Sequence, residues 1–179
     1  MKEIRKPSGD FPSFFDHYMR QVPDDGYLLK HLADIESETR TLVNNLSEEQ
    51  LNYRYEPGKW TIKDLIVHLS DCERVLTYRI MRIARNDKTD LPGFDETLFA
   101  ASANARRRTV ADMLEELRTA RAASLAFFAS LTEEELDRTG TANGYPISVR
   151  LLANHLYGHH YHHLAMIKEK YLSAFAAIK

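Results

Sequence analysis

The 179-residue chain has one cysteine, Cys72, which excludes a disulfide framework within the chain. Seven glycines and six prolines are too few for a linker-rich or all-β chain. Charge of one sign is also missing: 24 basic residues stand against 26 acidic ones, a formal charge of −2 that offers no footprint for gripping a phosphate backbone. The cluster Arg106-Arg107-Arg108 precedes a predicted helix and reads as a solvated helix approach. No apolar run approaches the length of a membrane span. The start Met1-Lys2-Glu3-Ile4-Arg5-Lys6 lacks the apolar core of a signal peptide. These absences predict a cytoplasmic protein with neither nucleic acid nor membrane as partner.

What is present is the composition of a globular protein, 44% hydrophobic and 28% charged. A chain of this length buries a continuous core without disulfides or a structural metal, so any metal it holds serves function. The pattern predicts one all-α domain over residues 1–179, a four-helix bundle with short accessory helices. An ordered N-terminal arm, 1–23, carries Phe11, Phe14, Phe15 and Tyr18, and the bundle occupies 24–179.

Four amphipathic stretches define the long helices. The first runs from Asp24 or Asp25 to about Asn45, with Leu28, Leu32, Ile35, Thr39, Leu42 and Leu46 on one stripe. The second opens on a capping box, Thr61 with Asp64, turns Leu65, Leu69, Cys72, Leu76, Ile80 and Ile83 inward and ends near Asn86. Thr109 and Asp112 start the third, whose apolar face is read as Met113, Leu117, Ala120, Ser124, Phe127 and Leu131. After a turn at 141–144, the fourth begins near Pro146 or Ser148 and reaches about Tyr171. The connection from Asp87 to Arg108 is long for a compact domain and has room for one short helix, which marks it as functional.

A weak internal echo runs through this pattern. Leu46-Ser47-Glu48-Glu49-Gln50-Leu51 matches Leu131-Thr132-Glu133-Glu134-Glu135-Leu136, and each precedes a turn and a long histidine-bearing helix. Two related helical hairpins would bring the second and fourth helices face to face across the core.

Five of the eight histidines lie between residues 155 and 163. Side chains at i and i+4 of a helix share a face, close enough for two imidazoles to share an ion. His159 and His163 have that spacing, and so do His155 and His159. The apolar seam Leu152, Leu156, His159, His163, Met166, Lys170 favours the former pair and turns His160 and His162 away. Two imidazoles in an apolar seam leave polar nitrogens that cost about 1–3 kcal/mol each when unpaired, and a metal satisfies both. A zinc-like site takes three or more protein ligands, and His68, between Leu65 and Cys72 on the inner side of the second helix, is the best third. His17 and His31 lie on less buried faces. An ordinary buried histidine bonded to a carbonyl or carboxylate is the competing reading for each ring. Asp71 and Glu73 read as solvated carboxylates, with ligand orientation as their alternative, and Cys72 reads as a core residue rather than a nucleophile.

Several landmarks together resemble the DinB and YfiT-like superfamily of metal-binding four-helix bundles. They are Val22-Pro23-Asp24-Asp25-Gly26, the stretch from Tyr53 to Trp60, His68 to Glu73, Leu91-Pro92-Gly93-Phe94-Asp95, and Gly158-His159 followed by His162-His163. The resemblance spans nearly the whole chain and implies a metal set of His68, His159 and His163, with His155 as the rival. It implies a metal-dependent enzyme, a thiol S-transferase or a hydrolase, acting on a small molecule such as a low-molecular-weight thiol. No individual catalytic residue is assigned. Three imidazoles suit a divalent ion, zinc first and nickel second. A homodimer is compatible with this reading. The alternative function is a non-catalytic metal-binding or stress-response module.

Overall fold

The computed structural model describes residues 2–176. A single 3-10 turn, Ser13–Phe15, leads into the short helix α1, Asp16–Met19. The four long helices are α2 (Leu28–Asn44), α4 (Ile62–Ala84), α6 (Val110–Ser130) and α8 (Val149–Met166). Between them lie α3 (Glu48–Leu51), α5 (Glu96–Ala103), α7 (Glu133–Asp137) and a hairpin of β1 (Thr139–Ala142) and β2 (Tyr145–Ser148). A π-helical turn, Ile167–Leu172, extends α8 into α9 (Ser173–Ala176).

Capping chemistry fixes most of the helix starts. Ser47 with Gln50, Thr61 with Asp64, and Thr132 with Glu135 form reciprocal capping boxes, each satisfying two orphan donors. Thr109 accepts from the Asp112 N–H alone, so α6 has the cap without the return bond. The first long helix starts later than predicted, at Leu28, because the chain turns at Gly26 with φ +80° and the Ile4 N–H bonds the Gly26 carbonyl.

The echo is real in its caps and differs in its topology. Helix α4 packs on α6 and α8, and α2 packs on the same two. The ring order is therefore α2, α6, α4, α8: α2 and α4, like α6 and α8, lie diagonally rather than as hairpin neighbours, while α4 and α6 are adjacent. The connections at 45–61 and 131–148 carry α3 and α7 plus the hairpin, enough chain to cross the end of the bundle. The α4–α8 pairing expected from the echo is present.

Pro146 lies in β2 and not in a helix; Ser148 caps α8 by accepting from the Leu151 N–H. The two-residue hairpin turn is Asn143-Gly144, with φ of 53° and 74°, the left-handed pair that matches strand twist. Gly140 lets this hairpin lie on α4, since a Cβ there would stand 2.8 Å from the Ile83 side chain. Leu91 bonds both the Thr141 carbonyl and the Asn143 N–H, pinning the long connection to the hairpin.

Two faces drift from their predicted stripes. On α6 the buried residues are Met113, Leu114, Leu117, Arg121, Ser124 and Phe128, so Arg121 and Phe128 replace Ala120 and Phe127. Beyond His163, Ile167 and Tyr171 are buried while Lys170 is exposed, because the wider π turn holds a four-residue step on one face.

Two apolar clusters fill the bundle. One gathers Leu32, Ile35, Ile80, Phe128 and Leu152 with the N-terminal arm, and the other gathers Val43, Leu65, Met113 and Ile167. Between them sits a buried polar layer of Thr39, His68, Glu73, Arg121, His159, His160 and His163.

Candidate metal centre

Helix α8 is covered by α1, α2 and α4 on different sides, so nearly its whole circumference is buried. Gly158 is the reason α1 can seat there: a Cβ would stand 2.4 Å from the Tyr18 carbonyl oxygen. One residue on, His159 faces α4. His68 Nε2 lies 3.1 Å from His159 Nε2, and His163 Nε2 lies 3.1 Å from the same atom. The ring centroids of His68 and His163 are 4.8 Å apart. The structure thus gathers His68, His159 and His163, the three residues singled out by the seam.

Cys72 joins them. Its Sγ is 3.6 Å from both ring nitrogens of His68, one turn earlier on α4. The set of donor atoms lying mutually within 4.8 Å is His68, Cys72 and His159, and His163 enters through its contact with His159. The i, i+4 spacing of His68 and Cys72 carried that signal, but a lone cysteine on an apolar stripe reads as packing.

His155 lies beside His159, ring centroids 5.8 Å apart, without a hydrogen bond to any of the trio among the described residues. Its ring lies edge-on to Phe15 and Tyr18, with centroids 4.9 and 4.6 Å away, and its Nδ1 has no partner among the described residues. His162 pairs with His17 at 3.0 Å near the surface, and His31 pairs with Asp25.

Glu73 corrects the sequence reading, and His160, turned away from the seam as expected, is its neighbour in the same network. His160 turns away from the trio and is buried. Its Nδ1 is 3.2 Å from Arg121 Nη2, which can only donate, so Nε2 carries the proton and donates to Thr39 Oγ1 at 2.8 Å. Glu73 is buried and accepts two hydrogen bonds from Arg121, at 3.0 and 2.7 Å, while Arg121 also donates to the Leu32 carbonyl at 2.6 Å. Glu73 is therefore neither solvated nor free to orient a metal ligand. Asp71 remains partly exposed beside Arg74.

Burial makes the trio basic only in name. Desolvation lowers His68 to about 4; it lowers His163 to about 3, with His68 and His162 adding to the fall. Desolvation drives His159 well below its ordinary value, and the neighbouring histidines push the same way. All three are neutral at pH 7, each with a lone pair to give. Burial also raises the Cys72 thiol far above its usual range.

The donor set fits a divalent ion. His159 Nε2 has one in-plane site, a proton or a lone pair, and so serves only one of its two close contacts. Nitrogens bound at about 2.0–2.1 Å to a tetrahedral ion would stand roughly 3.3 Å apart, near the spacing seen. Trp60 covers the far face of His68, centroids 4.7 Å apart, and the Tyr171 hydroxyl holds the Trp60 carbonyl at 2.7 Å.

A cavity of 240 Å³ opens beside His159. Phe14, Phe15 and Tyr18 of the arm line one side, and Gly93, Phe94 and Glu96 of the long connection line another. Cys72, Arg79 and His155 also face it, and the hairpin supplies Asn143 and Tyr145. The stretch at 87–108, marked as functional by its length, therefore shapes this wall and contributes α5.

Comparison with known proteins agrees with the architecture. A protein of Oceanobacillus iheyensis named "Putative metal-dependent hydrolase" is 34% identical over 144 residues, covering 76% of this chain and 81% of its own. A Geobacillus kaustophilus protein of the same name is 31% identical over 168 residues, 92% of each chain. The solved structure of YfiT from Bacillus subtilis, described as "a probable metal-dependent hydrolase with an unusual four-helix bundle topology", superposes with a TM-score of 0.73. It is 18% identical and covers 92% of this chain and 90% of its own, so it shows the fold. The sequence profile of the DinB superfamily matches residues 31–167, and the chain belongs to that superfamily.

Proposed function

We propose that this protein is a metal-dependent enzyme of small-molecule chemistry, with a divalent ion held by His68, His159 and His163. Hydrolysis is the first reaction class and transfer to a low-molecular-weight thiol the second. The observation that carries the reading is the convergence of three neutral imidazoles, in successive 3.1 Å contacts, with the central one, His159, lining a cavity. The names of the curated relatives support the metal and the hydrolase class. Zinc is the first candidate and nickel the second, since imidazole donors suit both.

When bound, a divalent ion supplies Lewis-acid chemistry: it lowers the pKa of water or a thiol toward neutrality and offsets negative charge that develops on the substrate. The chain does the rest. Burial keeps the three rings neutral and their lone pairs available. Trp60 and the α4 backbone fix the His68 ring, while the contact of α1 with Gly158 closes the arm over the site. Phe14, Phe15 and Tyr18 exclude bulk water from one side of the cavity.

Elemental analysis of untagged protein tests the first half, and turnover of ester, amide and thiol-plus-electrophile panels tests the second. About one equivalent of zinc or nickel with metal-dependent turnover is the expected result. Metal-free protein, inert after reconstitution, would sink the proposal.

Cys72 motivates a second reading. As a fourth protein donor it would close the coordination sphere and make the site a storage or structural one. Cobalt substitution separates the two: a thiolate-to-cobalt charge-transfer band that vanishes in Cys72→Ser supports closure, and a spectrum without that band supports an open site.

A further inference from the structure

Arg79 lies on α4, two turns beyond Cys72, and lines the same cavity as His159. Among the described residues it has no carboxylate partner, whereas most other arginines of the bundle are paired with acids. Its Nη2 donates to the Pro92 carbonyl at 2.7 Å, and its guanidinium carbon stands 5.8 Å from the centre of the Phe94 ring. One contact anchors the guanidinium and the other covers a face, so the remaining donors are held in place rather than left to sweep through solvent. Glu96 lines the cavity too, without an ion-pair partner among the described residues. Burial raises the Glu96 carboxyl, and its charge is felt at Tyr18 and Cys72. The cavity wall therefore carries, among the described residues, one unpaired cation and one unpaired carboxylate beside the aromatic rings of Phe14, Phe15 and Tyr18.

We infer that the cavity takes a small amphipathic carboxylate, its anionic group forked on Arg79 and its apolar body against the aromatic wall. The planar guanidinium matches a carboxylate better than a point cation would, and a half-buried guanidinium without a counter-ion favours an anion that reaches it. Glu96 on the same wall disfavours a second anionic group, so a ligand with a single carboxylate is preferred. The ligand's uncharged end is left to the rest of the wall, which includes His159. At 240 Å³ the space equals about eight waters' share of liquid, which suits a compact monocarboxylate. This deepens the reading of the site as an enzyme centre by naming its substrate class, and it rests on that reading only for the chemistry that follows binding.

The test is calorimetric titration of the protein as purified with phenylacetate and with its uncharged isostere phenylacetamide. Wild type is expected to prefer the carboxylate by roughly tenfold or more, the range of a charge-assisted hydrogen-bond pair. Arg79→Gln should abolish that preference while changing amide affinity less than about twofold, and Arg79→Lys should restore part of it. The same titration on His163→Ala, with metal content measured in parallel, separates the two proposals: the carboxylate preference persists there even if the metal is gone. A preference that survives Arg79→Gln, one that disappears with His163→Ala, equal binding of the two probes, or no saturable phenylacetate binding to about 10 mM overturns the inference.

Discussion

Helix α8 presents two buried histidines back to back, and their surroundings could hardly differ more. His160 faces α2 and α6, where Arg121 and Thr39 use both of its ring nitrogens and Glu73 in turn holds Arg121. His159 faces α4, where its nearest polar neighbours are two more imidazoles and a thiol, and where the neighbouring His163 leaves its Nδ1 unpartnered. Both rings lie out of water, so burial does not distinguish them. What does is saturation. A buried polar network whose members satisfy one another holds helices in place, and one with donors left over is built for something from outside.

The comparison can be broken most decisively at His159. His159→Ala should reduce bound metal from about one equivalent to none while circular dichroism stays helical; His160→Gln should leave the metal in place. Full retention of metal in His159→Ala would erase the distinction between the two faces.

Acid probes both groups at once. The ordinary pKa of these histidines is 6.5, and folding lowers His68 and His155 to about 4 and His163 to about 3, with His159 and His160 also pushed down. Below pH 6.5 the unfolded chain takes up protons that the folded chain refuses. Stability of metal-free protein is therefore complete above pH 6.5 and falls toward pH 4, by roughly 1.4 kcal/mol per pH unit for each ring titrating only in the unfolded state. Urea melts at several pH values measure that slope, and His163→Ala should make it shallower. A flat profile from pH 7 to 4 would count against the buried, neutral state of both groups.

The saturated side predicts the opposite sensitivity. Arg121→Met strands Glu73 and one nitrogen of His160, and should cost about 3–5 kcal/mol in denaturant melts with the metal stoichiometry preserved. Adding Glu73→Leu in the same chain should recover much of that loss. A smaller effect is expected at the junction with the arm, where Gly158→Ala drives a methyl into the Tyr18 backbone and should cost about 1–3 kcal/mol as overpacking. Tyr18 would shift with α1, and the cavity would open on that side.

The two faces of α8 were also unequally legible in the sequence. The trio follows from periodicity, because His68, His159 and His163 each take a place on an apolar stripe whose spacing is local information. The caps at Ser47, Thr61 and Thr132 were legible for the same reason: a capping box is complete within four residues. Glu73 was misread, and the burial of His160 was not legible, because their shared partner Arg121 lies 48 and 39 residues away along the chain. A residue beside a buried seam looks exposed unless a further helix covers it, and α2 and α6 supply that cover. The hairpin was missed despite its Asn143-Gly144 turn, since Thr139, Gly140 and Pro146 make poor strand signals and its register rests on tertiary contact with Ile83 and Leu91. The diagonal order of the long helices has no local signature at all.

That order has a kinetic consequence. Because α2 lies across the bundle from α4, and α6 from α8, three of the four pairings of adjacent long helices, all but α4 with α6, join helices that are not consecutive in the chain, which raises the contact order above that of an up-and-down bundle. A fragment holding α2 to α4 cannot form its native interface, and the imidazoles of α4 and α8 meet only when the ring of helices is complete. An ion that needs donors from both will bind the finished molecule and no partly folded form, so its uptake can serve as a clock for the last step of assembly.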